Sequence, residues 1–409
     1  MMKKNKTLEQ AVVLCGGLGT RLGKLTKKTA KPLLILKDKK NMIDYIIENL
    51  SRYGFKKILL LCHYQHKTFF NLYHKRKIKN VSIKCVYEKN LLGSAGSINN
   101  AKKHLDNFFL LCNGDTFFNF NILDLLKNYD PKKYIGIYAI SQTSKDTSRY
   151  SSIKTKRDQI TNFNYNNKNQ KKLFSSGIAI FDKKIINIIK NKKSLEKDVL
   201  PILCKKKKIQ FNLYKKKFNE FIDIGIVKDL KKSKNFFKKI LRKKTVILDR
   251  DGIINIDNGY TYQIKKFIWR KNIIKLIKYF NDNDYYIFIA TNQSGVGRGY
   301  YKEEDVIKLH TWINKKLKAH GAHIDEFFYA PYFKESKFKK YREKQFLRKP
   351  DTGMFSKIIA NWQIKKNMTY MIGDSDTDII FARNANIKGI LIKPNENIYK
   401  ASLKNIIGC

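Results

Sequence analysis

Short apolar blocks punctuate the first half of the chain: AVVLC (11–15), KILLLC (57–62), FFLLCNGD (108–115), IGIYAI (135–140) and GIAIF (177–181). They are too brief for helices and rich in β-branched and aromatic residues, so they predict strands. NMIDYIIENLSRYG (41–54) instead spaces its apolar residues three and four apart and stops at Gly54, which predicts an amphipathic helix. Strands alternating with helices imply α/β units and a largely parallel sheet. KDLKKSKNFFKKILRKK (228–244) reads as the last helix of a first domain running into a basic linker. A second series follows: TVILD (245–249), YYIFIATN (285–292), DEFFYA (325–330), TYMIGD (369–374) and GILI (389–392). No internal repeat relates the two series. The pattern predicts two different α/β domains, 1–238 and 239–409.

A length of 409 residues and an apolar content of 43% are consistent with two packed cores. The net charge of +51 raises nucleic acid or a membrane surface as partners. The lysines, however, run along the whole chain, together with abundant Asn, Ile, Tyr and Phe, as in the drift of an AT-rich genome. No nucleic-acid motif accompanies them, so neither partner is expected. A positive field does suit small phosphorylated substrates. The six cysteines form no CxxC pair, which points to free thiols in a reducing compartment. MMKKNKTLEQ carries charges but no apolar h-region behind a cleavage site, and no run of 18 apolar residues occurs. The expected address is therefore the cytosol.

The chemistry begins where the second series of strands ends. In open α/β sheets, ligands sit beyond the carboxyl ends of the strands. TVILD runs into Asp249 and Asp251, YYIFIATN ends at Thr291 and Asn292, and TYMIGD opens GDSDTD (373–378); RKPDTG (348–353) adds Lys349. A carboxylate at a strand tip can attack phosphorus and form an aspartyl-phosphate, a role for Asp249. A second carboxyl two residues on, Asp251, can pass a proton to the leaving oxygen and take one from water. Thr291 and Lys349 can hold the transferring phosphoryl group. Carboxylates around one point call for Mg²⁺, with Asp249, Asp251 and Asp374 as metal residues and Asp378 as a further candidate, although a helix cap explains Asp378 equally well.

In the first domain, CGGLGTRLGKL (15–25) is neither of the two common glycine loops. A P-loop reading puts Leu18 at the first glycine and Leu25 at the hydroxyl position, and a dinucleotide reading puts Leu22 at the third glycine. What remains is GGxGTRL with Lys31-Pro32 beyond it. Backbone N–H groups around Gly16, Gly17, Gly19 and Thr20 can wrap a triphosphate, with Arg21 as a donor fork and Lys31 as a point charge. YEKNLLGSAGS (87–97) offers Glu88 and a second glycine turn at Gly93, and CNGD and FIDIG bring Asp115 and Asp223 as a pair able to hold Mg²⁺. The Glu88 carboxylate can accept both N1–H and N2–H₂ of guanine, which favours GTP.

These motifs carry two resemblances. LDRDGIINIDNGY, TNQSGVGRG and RKPDTGM, within roughly 244–395, resemble haloacid-dehalogenase-type (HAD) phosphatases, in particular the D-glycero-D-manno-heptose 1,7-bisphosphate phosphatases and their histidinol-phosphatase relatives. That likeness implies Asp249 as nucleophile, Asp251 as acid/base, Thr291 and Lys349 on the phosphoryl group and Asp374 on Mg²⁺. It also implies substrate contacts from Asn292, Arg348, Asp257, Gly259 and Tyr260. About forty residues separate Asp251 from Thr291, so a large cap is not expected. Relatives commonly carry a zinc loop, and here its positions are Ala330, Tyr332, Gln345 and Leu347. No zinc is therefore expected, and packing of Tyr329, Tyr332 and Phe346 should hold the loop. Where relatives often have lysine beside the metal aspartate, Ser375 stands.

GGLGTRL, Lys31, Asp115, SLEKDVLP (194–201) and FIDIG, over roughly 9–235, resemble the sugar-1-phosphate nucleotidyltransferases, in the branch that makes GDP-heptose and mannose-type nucleotides. The likeness implies that Arg21 stabilises the leaving pyrophosphate. Family members carry Phe-x-Glu-Lys where this chain has Tyr165 and Asn166, with Arg149 as the substitute cation. Together the resemblances imply a Rossmann-like (GT-A-like) mixed-sheet domain followed by a HAD-like parallel-sheet domain, each using Mg²⁺. The implied enzyme dephosphorylates a heptose bisphosphate and activates the product with a nucleotide for cell-surface polysaccharide. The alternatives are a hexose-1-phosphate transferase fused to a phosphatase of other specificity, or one non-catalytic domain.

Overall fold

A computed structural model describes residues 8–143, 152–163, 172–215 and 221–408. The chain divides into two compact units, Met1–Lys238 and Lys239–Cys409.

The first unit is built on a mixed sheet, ten-stranded among the described residues. Its centre is parallel: strand Gln10–Leu14 pairs with Lys57–Cys62 on one side and Phe108–Asn113 on the other, and Val81–Tyr87 extends it. Val12, Val13, Leu60 and Leu61 are buried because helices cover both faces, which explains why these strands read as continuous apolar runs. Beyond Phe108–Asn113 the sheet turns antiparallel through Lys172–Asp182 and Gly136–Thr143, then takes in Ile209–Lys215 and the hairpin Ile153–Lys156 with Gln159–Phe163. The sheet is thus mixed, and Phe109, Ile140, Phe181, Leu195 and Val199 fill the core on one face. Each such burial stabilises by roughly 1.5–3 kcal/mol. Helix Met42–Arg52 starts from a capping box. Asn41 Oδ1 accepts from Ile43 N and Asp44 N, and Asp44 Oδ2 accepts from Asn41 N.

The second unit is a five-stranded sheet, all parallel, in the order Glu326–Ala330, Tyr286–Asn292, Lys243–Leu248, Ile364–Gly373, Lys388–Leu391. Helix Ile273–Asp282 buries Ile273, Leu276, Ile277 and Phe280, the three-and-four spacing that turns one face to the sheet. A parallel sheet sends every strand's carboxyl end to the same edge. Asp249, Thr291 and Asp374 are brought together for that reason. In the stretch between Asp251 and Thr291, helix Ile273–Asp282 and a short 3₁₀ turn, Ile264–Lys266, are the only helical elements. Among the described residues, no helix is long and apolar enough to cross a membrane.

Candidate active sites

At the carboxyl edge of the first sheet lies a cavity of about 380 Å³. Gly16, Gly17, Gly19, Thr20, Arg21, Lys31, Glu88, Gly93 and Asp115 all line it. The loop after the first strand needs its glycines. Gly19 has φ +68°, and a Cβ there would press on Thr26 and Lys31 at 3.0 and 3.2 Å. Gly93 has φ +75°, and a Cβ would meet the Lys193 carbonyl oxygen at 2.5 Å.

Glu88 is 1% exposed, and among the described residues neither carboxylate oxygen has a hydrogen-bond partner of good geometry, although Ser97 and the Leu92 N–H lie near enough to favour its charge. The nearby Ser97 hydroxyl instead donates to Gly93 O at 2.7 Å. Burial pushes the Glu88 carboxyl above its ordinary range. Buried carboxylates are otherwise satisfied, so an orphan lining a cavity marks a place for an external donor.

Lys31, expected to add a point charge for the phosphates, lines the cavity and meets two carboxylates. Its ammonium lies 2.5 Å from Asp115 Oδ2 and 3.3 Å from Asp223 Oδ1. Asp223 Oδ1 also accepts from Gly225 N at 2.7 Å. The two carboxylates would repel each other without a cation between them, and Lys31 supplies it. Their convergence on one positive centre fits the pairing of Asp115 and Asp223 around a divalent ion. Arg149, Tyr165 and Asn166 lie outside the described residues.

A smaller cavity of about 30 Å³ shares Leu14 and Asn113 with the first and is lined by Tyr138, Ser175, Gly177 and Glu196. Glu196 Oε2 accepts from Ser94 Oγ at 2.9 Å and Ser194 Oγ at 3.4 Å. Sequence reasoning assigned no role to Asn113 or Glu196, although CNGD and SLEKDVLP contain them.

In the second unit, Asp249, Asp374 and Asp378 each offer a ligand oxygen, all within 4.8 Å of one another. Lys349 sits among them, 2.9 Å from Asp249 Oδ1 and 2.5 Å from Asp378 Oδ1. Burial pushes the Asp249 carboxyl up to about 7, against the pull of Lys349. Asp374 is likewise raised, first by burial and then by Asp378. For Lys349, burial works against the charge but Asp249 and Asp378 outweigh it, and the ammonium is held above its ordinary value. An oxygen-only cluster of this kind fits a hard divalent cation. Asp378 also caps helix Asp376–Asn384, accepting from Ser375 N and Oγ. The helix-cap reading and the cluster reading of Asp378 are both realised, one through each oxygen.

Two expectations need correction. Asp251 was placed among the metal residues, but the oxygen cluster is made by Asp249, Asp374 and Asp378, and the Asp251 carboxylate is taken up by other partners. It accepts from Arg250 Nη2 at 2.7 Å, Asn255 Nδ2 at 3.0 Å and Gln293 Nε2 at 2.9 Å. Asn292 was expected on substrate, yet its side-chain amide is spent on Lys349: Nδ2 donates to Lys349 O at 3.0 Å and Oδ1 accepts from Lys349 N at 2.9 Å. It fixes the lysine's backbone instead. Thr291 is buried, and its Oγ1 accepts from Gln293 Nε2 at 3.0 Å. Gln293 therefore ties Thr291 to Asp251, a link no motif announced. Arg348 Nη1 donates to Tyr332 O at 3.2 Å. Asp257, Gly259 and Tyr260 form an exposed turn, with Gly259 N donating to Asp257 Oδ1 at 2.9 Å. Phe346, expected to pack the 331–348 loop, is 60% exposed.

Residues 10–240 match the nucleotidyl transferase family, and residues 346–402 match a HAD-hydrolase-like family. The second half is 37% identical over 147 residues to the D-glycero-beta-D-manno-heptose-1,7-bisphosphate 7-phosphatase of Haemophilus ducreyi, covering 36% of this chain and 80% of that protein. It is 37% identical over 156 residues to the D-glycero-alpha-D-manno-heptose-1,7-bisphosphate 7-phosphatase of Campylobacter jejuni, covering 38% and 85%. The crystal structure of HddC from Yersinia pseudotuberculosis matches 56% of this chain and 100% of its own, with a TM-score of 0.50 and 26% identity.

Proposed function

We propose that this chain, which belongs to the nucleotidyl transferase family through its first half and to the D-glycero-D-manno-heptose-1,7-bisphosphate 7-phosphatases through its second, is a bifunctional enzyme of nucleotide-activated heptose synthesis. Its phosphatase unit removes the 7-phosphate of the heptose 1,7-bisphosphate. Its transferase unit couples the resulting heptose 1-phosphate to a nucleotide, with GTP favoured. The observation that carries the reading is the meeting of Asp249, Lys349, Asp374 and Asp378 at one sheet edge of a unit related to these phosphatases.

In the phosphatase unit, the Asp249 carboxylate attacks phosphorus, and the sugar oxygen leaves with a proton from Asp251. Water, deprotonated by Asp251, then attacks the aspartyl-phosphate and releases phosphate. Arg250, Asn255 and Gln293 hold the Asp251 carboxylate in place for both transfers. Lys349 and Thr291 stabilise the charge on the transferring group.

In the transferase unit, the sugar-phosphate oxygen attacks the nucleotide's α-phosphorus and pyrophosphate leaves, with no covalent intermediate on the enzyme. The N–H groups of the Gly16–Thr20 loop and Arg21 carry the phosphates. Glu88 accepts the two donors of a guanine edge. Asp249, Asp374 and Asp378 in one unit, and Asp115 and Asp223 in the other, would hold Mg²⁺, which would supply charge neutralisation of the phosphoryl oxygens.

The test incubates the full chain with either anomer of the heptose 1,7-bisphosphate, Mg²⁺ and each nucleoside triphosphate in turn, with mass spectrometry of the products. A GDP-heptose from one anomer is expected. Phosphate release with no nucleotide-sugar from any triphosphate would overturn the bifunctional reading, and faster turnover of UTP, CTP or ATP than GTP would overturn the role of Glu88.

A further inference from the structure

Glu303 opens helix Glu303–Lys318, yet its carboxylate serves residues outside that helix. Tyr329 Oη donates to Oε2 at 2.9 Å, and Tyr341 Oη donates to Oε1 at 2.8 Å. Tyr329 lies on the edge strand Glu326–Ala330, and Tyr341 on the short helix Lys339–Arg342 in the loop that follows. One carboxylate therefore ties the strand before the 331–348 loop, and the loop itself, to helix Glu303–Lys318. Two further contacts close the loop onto the end of the short helix Ser294–Gly297: Ser336 Oγ donates to Gly297 O at 2.5 Å, and the Arg298 guanidinium lies 3.7 Å from the Phe333 ring centroid.

The loop delivers Arg348 and Lys349, but the two are held differently. Lys349 has its own anchors in Asn292, Asp249 and Asp378. Arg348 is held through Tyr332 O, a loop carbonyl. Burial, with the like charge of Arg298, holds the Arg348 guanidinium below its ordinary value. Loosening the loop should move Arg348 and leave Lys349 in place.

We propose that Glu303 is a positioning residue of the phosphatase site. Its clasp on Tyr329 and Tyr341 sets the loop that shapes the part of the site holding the non-reacting end of a sugar bisphosphate. The contacts to the reacting phosphoryl group stand without it. The inference rests on the sugar-bisphosphate phosphatase reading above.

The experiment uses the full chain with Glu303→Ala, Tyr329→Phe or Tyr341→Phe, and reads kcat and KM for the heptose bisphosphate together with competitive inhibition by inorganic phosphate, which probes the reacting end alone. Glu303→Ala should raise KM about tenfold, with kcat and the phosphate inhibition constant changed by less than about twofold. Each Phe variant should raise KM by less, and adding either to Glu303→Ala should have no further effect, since the partner is already gone. Should Glu303→Ala fail to fold, the two Phe variants carry the test with their rings in place. Unchanged KM, or an equal fall in bisphosphate turnover and phosphate binding, would overturn the proposal. If the wild type ignores the heptose bisphosphate and hydrolyses another sugar bisphosphate, the substrate reading fails on its own, and the same comparison decides the clasp with that substrate.

Discussion

Glu88 should make the ligand-free protein less stable than it need be. Both carboxylate oxygens are buried without a hydrogen-bond partner of good geometry among the described residues. A buried polar group left unsatisfied costs about 1–3 kcal/mol, and more when charged. Glu88→Gln keeps the shape and removes the charge, so about 1–2 kcal/mol should be recovered in the absence of nucleotide. For a unit of this size that is roughly a 2–8 °C rise in Tm. The sign of the pH dependence follows from the raised carboxyl. A group whose folded pKa lies above its unfolded value contributes stability that is fully present below the unfolded value, about 4.3 for Glu. That contribution is lost as pH rises through the folded pKa. The advantage of Gln should therefore be largest at pH 7–8, shrink as pH falls and vanish near pH 4. The same change should weaken GTP binding, because a charge-assisted contact to the base is lost; a cost of about 1.4–3 kcal/mol is ten- to about a hundredfold in Kd. Scanning calorimetry across pH and titration calorimetry with GTP measure the two effects. A variant that is less stable at every pH, or that binds GTP as the wild type does, would refute the reasoning.

Other changes separate the two units. Asp249→Asn should abolish phosphate release and leave nucleotidyl transfer within about twofold, since the Asp249–Asp374–Asp378 cluster shares no residue with the cavity of the first unit; joint loss would contradict that independence. Gly252→Ala places a Cβ 1.7 Å from Asp374 Oδ2, at φ +82°, so phosphatase kcat should fall by about a hundredfold or more without loss of transferase activity. Lys349→Met leaves Asp249 and Asp378 facing each other without their cation, and should destabilise the second unit by about 3–5 kcal/mol, read as the shift of its thermal transition. Chelation of divalent ions should silence both activities, and Mg²⁺ should restore them in a coupled phosphate and pyrophosphate assay.

The parts of the fold that sequence revealed are strands buried on both faces, which read as apolar runs, and helices with a clear apolar period. KILLLC coincides with strand Lys57–Cys62, and helix Met42–Arg52 lies within the periodic stretch 41–54. Val81–Tyr87 and Ile209–Lys215 escaped notice for a physical reason. In the first, Val81, Ile83 and Cys85 are buried while Ser82, Lys84 and Tyr87 face solvent, so half the strand reads as polar. The second is preceded by a run of lysines and alternates Ile209, Phe211 and Leu213 with polar neighbours. In a chain this rich in lysine, a half-exposed strand differs little from a loop.

The sites show a sharper limit. Side-chain type and position at a strand tip say what chemistry a residue can do, and that was enough to bring Asp249, Asp374 and Lys349 together on paper. They do not say which neighbour will consume that capacity. Asp251 and Asp249 are two residues apart, and their carboxylates nonetheless part company. The buried Arg250 between them turns its guanidinium onto Asp251, and Gln293 and Asn255 take what Arg250 leaves. Asn292 and Lys31 are diverted in the same way, one to a backbone and the other to two carboxylates. Arg250 and Asn255 are near Asp251 in the chain, but the other partners come from distant segments, up to 192 positions away in the case of Lys31 and Asp223. Glu88 is the instructive contrast. Among the described residues none makes a well-formed hydrogen bond to its carboxylate, although Ser97 and the Leu92 N–H lie near it, so the reading of Glu88 as a group kept for a ligand is the one that the packing leaves intact.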